Sequence, residues 1–283
     1  MIENSRLKPS GLPNELSNLD RCLVVGVLNV TPDSFSDGGK FLNKKTAIEQ
    51  AKKLISDGAD LIDIGGESTR PGAEQISIDE EIQRVIPVIA ELKKEKIFIS
   101  IDTMKHEVAK EAIKAGAIII NDVSGGLADE KMFETVAELD VPYVLMHWRG
   151  HSKNMDDLAK YDNVTQEVIN ELKIQIDNAV NKGVKKDKIV LDPGLGFAKN
   201  PDHNWQILKD IKKFNGLGFP IYIGASRKRF LAPFSVNSDS SNLEGRDLAT
   251  SVITTYSALN NAWAVRVHDA KSSSIAVKLV NQL

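Results

Sequence analysis

Eight short apolar runs recur along the chain, and each is followed by a stretch with helical periodicity. The runs are "CLVVGVLN", "LIDIG", "IFISID", "AIIIND", "PYVLMH", "KIVLD", "PIYIGAS" and "AWAVRVH". They are apolar at successive positions rather than alternate ones, which means burial on both faces and therefore a parallel sheet covered by helices. Between them, "KKTAIEQAKKLISDGA" places Ala47, Ile48, Ala51, Leu54 and Ile55 on one helical face, with Gly58 positioned to end the helix. The segments beginning at Ser77, Lys105, Asp129, Asp162, Pro201, Gly245 and Asp269 have the same period. Eight βα units predict an α/β fold, a (β/α)8 TIM barrel in a single domain. A doubly wound open sheet is the alternative, but it rarely needs eight units. The barrel is expected over 21–283, after an N-terminal extension of 1–20. The Ser/Asn-rich "SVNSDSSNLEG" reads as a surface excursion of the seventh unit.

Charge narrows the partners. The formal net charge is −3 and no basic run occurs, so neither nucleic acid nor an anionic membrane is expected to bind. No run approaches the roughly 18 apolar residues of a membrane helix. The polar start "MIENSRLKPSGLPNEL" has no apolar signal region. Cys22 is the only cysteine, which rules out an internal disulfide and suits a cytoplasmic protein. No Cys/His set has zinc spacing, and no nucleophile-elbow motif is present.

In a parallel barrel all strand C-termini share one rim, where the chemistry is carried. The residues ending these runs are Asn29, Asp63, Asp102, Asn121 with Asp122, His147, Asp192, Ser226 with Arg227 and Lys228, and Arg266 with His268. One such polar residue is an ordinary turn or cap, and Asp122 or His147 alone is as readily structural as functional. A whole ring of them is harder to dismiss, because a carboxylate sunk into an apolar rim needs partners. Acids and amides come from strands two, three, four and six, and cations from seven and eight. Loops after the last two strands are the usual phosphate site of this fold. The ring therefore predicts a two-ended ligand: a flat, donor-rich heterocycle over the carboxylates and a phosphate or pyrophosphate near Arg266.

The motifs "NVTPDSFSDGG", "DIGGESTRPGA", "SIDT", "INDVSGG", "LDPGLGF", "GASRK" and "RVHDA" resemble, in order and position, those of the dihydropteroate synthase family, from about Leu23 to Leu283. That resemblance implies a homodimeric (β/α)8 transferase of folate biosynthesis, a sulfonamide target using Mg2+. Such an enzyme joins 6-hydroxymethyl-7,8-dihydropterin pyrophosphate to p-aminobenzoate and releases pyrophosphate. It implies pterin binding by Asp102, Asn121, Met146, Asp192, Phe197 and Lys228. It implies pyrophosphate binding by Asn29, Asp63, Arg266 and His268, with Asn29 the metal ligand. The p-aminobenzoate pocket would comprise Phe35, Thr69, Arg70, Pro71, Ser226 and Lys228. Arg266, Lys228, Asp102 and Asp192 would carry the chemistry, with pyrophosphate departing before the amine attacks. Losing Arg266 is expected to cut turnover with the fold intact. Trp148, Arg149 and Ala198 depart from the family's usual residues. The alternatives are a pterin-binding methyltransferase acting between methyltetrahydrofolate and a corrinoid, and a non-catalytic pterin-binding subunit.

Overall fold

The computed structural model describes residues 6–31, 40–68, 75–151, 155, 157–236 and 242–283. A short helix α1 (Asn14–Ser17) precedes eight parallel strands: β1 (Leu23–Asn29), β2 (Leu61–Gly65), β3 (Ile99–Asp102), β4 (Ile119–Asp122), β5 (Tyr143–Met146), β6 (Ile189–Asp192), β7 (Tyr222–Ile223) and β8 (Ala264–Val267). Between and after them lie α2 (Lys40–Ser56), α3 (Ile78–Lys94), α4 (His106–Ala115), α5 (Met132–Leu139), α6 (Val164–Asn181), α7 (Pro201–Lys209), α8 (Ile211–Asn215), α9 (Asp247–Leu259) and α10 (Ala270–Val280). The sheet order is β6-β5-β4-β3-β2-β1-β8-β7. A single parallel bridge, Leu191 to Ile221, joins β6 to the approach of β7 and closes the circle into the expected TIM barrel.

Local chemistry starts the helices where the sequence places them. Ser77 accepts the Glu80 N–H, Asn163 accepts that of Gln166, and Asp269 accepts those of Lys271 and Ser272. Asn200 and His203 form a reciprocal capping box with Pro201 at the first helical position. Each such cap satisfies N–H groups that the helix leaves unpaired.

Strand alternation builds two cores. Outward residues such as Val24, Ile62, Ile101, Leu145, Leu191 and Val265 pack with the helices. Inward residues Leu23, Val25, Leu61, Ile119, Val144, Val190, Tyr222 and Ala264 form a separate cluster with Trp263 in the lower barrel. Leu12 and Leu19 pack against that inner cluster, and Ser10 N–H donates to the Asp187 carbonyl at 2.8 Å. The described part of the N-terminal extension thus lies across the N-terminal mouth and seals it.

Candidate active site

Two residues further along several inward columns, the side chains become polar. Val190 is followed by Asp192, Ile119 by Asn121, Leu61 by Asp63, and Ala264 by Arg266 and then His268. All of these polar residues but Asp63 line a cleft of about 670 Å³ at the C-terminal rim. Asn29, Asp102, Asn121, Met146, Asp192, Phe197, Ser226, Lys228, Arg266 and His268 all line it, so ten of the sequence-chosen residues are brought together. Phe35, Thr69, Arg70 and Pro71 lie outside the described residues.

Arg266 organises one side. Its Nε donates to Asp63 Oδ2 and its Nη2 to Asp102 Oδ2, both at 2.6 Å. Asn121 Nδ2 donates to the same Asp63 oxygen at 3.0 Å. Two carboxylates and one guanidinium are thus interlocked on the one rim. β8 neighbours β1, beyond which lie β2 with Asp63 and then β3 with Asp102, and the long Arg266 side chain reaches across to both acids. Among the described residues, Arg266 Nη1 has no protein partner, and neither does Asp102 Oδ1. Those atoms are the ones left for a ligand. Burial pushes the Asp102 carboxyl up to about 7, with Arg266 opposing and Asp63 adding to the rise. Burial works against the Arg266 charge too, but Asp63 and Asp102 more than offset it and raise its pKa.

Asp63, placed by the resemblance at the pyrophosphate end, lies deeper than the other site residues. It is fully buried and does not line the cleft. It holds Arg266 and Asn121 from below, and turns the Asn121 carbonyl oxygen toward the space a ligand would fill. Its Oδ1 has no partner.

On the opposite side, Asp192 Oδ1 accepts the Gly194 N–H at 2.7 Å. A Cβ at Gly224 would lie 3.6 Å from Asp192 Oδ2 and 3.9 Å from Lys228 Nζ, so carboxylate and ammonium both border that glycine. Lys228 Nζ also donates to the Leu195 carbonyl and lies 4.7 Å from the centre of the Phe197 ring. Burial lowers Lys228 to about 8, opposed by Asp192. Burial raises Asp192, opposed by Lys228. Ser226 and His268 are a pair: the His268 backbone N–H donates to Ser226 Oγ at 3.1 Å, and that oxygen lies 3.0 Å from His268 Nδ1. Ser226 thereby orients His268.

Asp122 takes the structural reading. It ends β4 facing outward, where it accepts the Ser124 and Gly126 N–H groups at 2.8 Å each and the Tyr143 hydroxyl at 2.7 Å. It shapes the turn after β4 and does not line the cleft. Sequence reasoning also passed over Lys199, which is buried at the cleft wall. Its only sequence signal is its position directly after the glycine-rich "DPGLGFA".

Fold and cleft together define a (β/α)8 barrel enzyme with its site at the C-terminal rim. Residues 25–268 match the pterin binding enzyme family. A dihydropteroate synthase of Mycobacterium leprae is 45% identical over 260 residues, 91% of this chain and 92% of that protein. The Yersinia pestis dihydropteroate synthase, solved in a complex with a sulfonamide drug, superposes with a TM-score of 0.87 at 38% identity and covers 98% of each chain. The Xanthomonas albilineans enzyme, solved with 7,8-dihydropteroate, gives 0.82 at 36% identity over 93% of this chain and 94% of that one. The chain belongs to the pterin-binding enzyme family and, within it, to the dihydropteroate synthases.

Proposed function

We propose that the cleft takes 6-hydroxymethyl-7,8-dihydropterin pyrophosphate with its ring over Asp102, Asn121 and Asp192 and its diphosphate toward Arg266 and His268. p-Aminobenzoate then enters beside Lys228, giving 7,8-dihydropteroate and pyrophosphate, the dihydropteroate synthase reaction of folate biosynthesis. The observation that carries this reading is the convergence of Asp102, Asn121 and Asp192 with Lys228 and Arg266 on one cleft. A pterin edge carries amino and ring N–H donors. Asp102 Oδ1, the Asn121 carbonyl oxygen and Asp192 Oδ2 are acceptors suited to them. Met146 and Phe197 supply the apolar walls of a slot for a flat ring.

The arylamine is neutral near pH 7 and a modest nucleophile, and the sequence offers no obvious strong general base aimed at it. Departure of the diphosphate therefore leads. Arg266 Nη1 and His268 are the donors for the charge that develops on the leaving oxygens. Asp102 and Asp192 stabilise positive charge spreading into the dihydropterin ring. The amine nitrogen attacks the exocyclic carbon, whose C–O bond to the diphosphate has broken, and its proton passes to the released pyrophosphate or to water. Phe35, Thr69, Arg70 and Pro71 are assigned to the p-aminobenzoate pocket by the family resemblance. The same pocket would accept the sulfonamides that resemble this substrate.

The donor set fits magnesium. Asn29 lines the cleft, and its amide oxygen would lie 3.7 Å from a Cβ at Gly65, a point only 3.5 Å from Asp102 Oδ2. Hard oxygen donors beside a diphosphate are what this cation takes. Asn29 would hold the ion, which supplies charge neutralisation to the diphosphate oxygens.

A homodimer is supported by the outer face of α9 and α10. Leu248, Val252 and Leu259 on the first, and Ile275 and Leu279 on the second, are all more than half exposed, and the two helices pack together. Contiguous apolar surface of this kind marks an interface, here with a second copy. No helix among the described residues is long and apolar enough to cross a membrane. The thiol of Cys22, pushed up to about 12 chiefly by burial, is inert, in keeping with a cytoplasmic protein.

The direct test is pyrophosphate release from the pterin substrate with and without p-aminobenzoate. Release that requires the amine and yields 7,8-dihydropteroate is expected. No release with both present would leave a silent pterin-binding subunit.

A further inference from the structure

The loop after β6 contains three residues in the left-handed region: Gly194 (φ 69°), Gly196 (φ 75°) and Ala198 (φ 47°). A Cβ at Gly194 would come within 2.3 Å of the His147 carbonyl oxygen, and one at Gly196 within 2.8 Å of Lys228 Cδ. The chain there is wound tightly and turns the carbonyls of Gly194 and Phe197 inward. Both point at Lys199 Nζ, each at 3.0 Å. The third partner of that nitrogen is His147 Nδ1, at 2.9 Å. Three acceptors around one nitrogen match the three N–H donors of an ammonium. Lys199 is 4% exposed, so these bonds have no competition from bulk water.

The contact fixes the histidine. Burial lowers Lys199 to about 7, opposed by Asp192; facing the ammonium form, Nδ1 accepts, so Nε2 carries the proton and donates to Glu171 Oε2 at 2.9 Å. Burial lowers the His147 imidazole to about 4, with Lys199 acting in the same direction, so the neutral ring is the working form. Glu171 is in turn bound by Arg149, whose Nε reaches Oε2 at 3.1 Å. Arg149 also binds Glu167, accepts no proton itself, and donates to the Lys160 carbonyl at 2.7 Å while lying 3.8 Å over the Tyr161 ring. One continuous chain, Arg149–Glu171–His147–Lys199, therefore ties the segment after β5 to the loop after β6.

That loop bears three elements of the pterin end of the cleft. Its Gly194 N–H holds Asp192, its Leu195 carbonyl holds Lys228, and its Phe197 ring is a wall. All three of Lys199's donors are used within the protein, so it has none to give a substrate. We propose that Lys199, anchored through His147 and Glu171, is the positioning residue that sets the geometry of the pterin end, with no part in the chemical step. This rests on the reading that Asp192, Phe197 and Lys228 bind the pterin ring. Without the ammonium, two buried carbonyls lose their donor and the tight turn has no reason to keep its shape.

The test uses the full-length enzyme and separate KM values for the two substrates. Lys199→Met keeps the length and apolar stem of the side chain and removes its donors. The KM for the dihydropterin pyrophosphate is expected to rise about tenfold, with kcat changed less than about threefold and the KM for p-aminobenzoate within about twofold, the scale of one lost charge-assisted bond. Lys199→Arg, which keeps donors and charge, should recover most of the loss. Glu171→Gln, at the half-exposed end of the chain, should give the same selective rise at about threefold. Equal rises in both KM values, or an unchanged pterin KM, would overturn the proposal. Should Lys199→Met not fold, Glu171→Gln decides by the same criterion. Asp192→Asn separates this from failure of the underlying reading. If it weakens pterin binding while Lys199→Met does not, the slot stands and the positioning role falls.

Discussion

Along β6 the inward column reads Val190 and then Asp192; along β8 it reads Ala264, then Arg266, then His268. The same strands thus build an apolar, sealed N-terminal mouth and a charged, open C-terminal one. At the closed end Trp263 is 1% exposed among Leu23, Val144 and Val190, with Leu12 and Leu19 laid over them. At the open end charges are buried and matched imperfectly. One guanidinium serves two carboxylates, and an oxygen of Asp63 goes unpaired. A barrel in which all sixteen strand ends had the lower end's composition would be the more stable object. The difference marks where stability is given up for a site.

Replacing Arg266 tests the comparison hardest, because it belongs to both accounts. Arg266→Ala is expected to lower turnover by about 10²–10³-fold, the scale of one lost charge-stabilising donor. It should also destabilise the fold by about 3–5 kcal/mol, because it strips the partner from two buried carboxylates. Denaturant unfolding alongside steady-state kinetics checks both. The sequence expectation of an intact fold is revised here for that reason. Trp263→Ala is the mirror experiment. It should cost about 3–5 kcal/mol in stability by opening a cavity in the sealed end. The KM values of the folded protein should not change, and a rise in either would break the division between the two mouths.

Acidity sharpens the contrast. Asp102 is pushed up to about 7, chiefly by burial. A pterin N–H needs the ionised form, so pterin affinity should fall as pH drops through about 7, by up to tenfold per unit. Stability moves the opposite way. With a folded pKa above the unfolded value, this group's contribution is fully present below about pH 4 and is lost as pH rises through 7. Calorimetric titration and thermal unfolding from pH 5.5 to 8.5 read the two slopes, and Asp102→Asn should flatten both. The smallest effect belongs to the seal. Leu12→Ala should cost about 1 kcal/mol, in line with part of a side chain's burial, and leave catalysis alone.

The fold was legible because parallel strands buried on both sides read as unbroken apolar runs. Each run falls on or within a residue or two of its strand, apart from β7, which shortens to Tyr222–Ile223. The ring of polar residues near the strand ends was legible for the same reason, since Asn29, Asp102, Asn121 and Asp192 each break an apolar run at or next to its last residue. Depth was not. Asp63 and Asp102 each follow apolar neighbours in a run, yet one is beneath the floor and the other lines the cleft. That distinction comes from β-register and from which strand Arg266 faces, neither of which spacing records. Asp122 shows the related limit. It stands one residue after Asn121, and alternation alone turns it outward to Tyr143. Lys199 and Glu171 stayed hidden because their partners are 52 and 24 residues away from them, at His147. Arg149, noted as a departure, proves to be the outer anchor of that same chain.

The central claim is that acids and cations on one rim grip two ends of a single substrate. Calorimetry of 6-hydroxymethyl-7,8-dihydropterin and of its pyrophosphate ester, on the wild type, Asp192→Asn and His268→Ala, tests it most directly. Asp192→Asn should weaken both ligands by about tenfold or more, and His268→Ala should weaken only the pyrophosphate ester. Wild-type affinity of Asp192→Asn for the free pterin, or an equal loss of both ligands in His268→Ala, would contradict it.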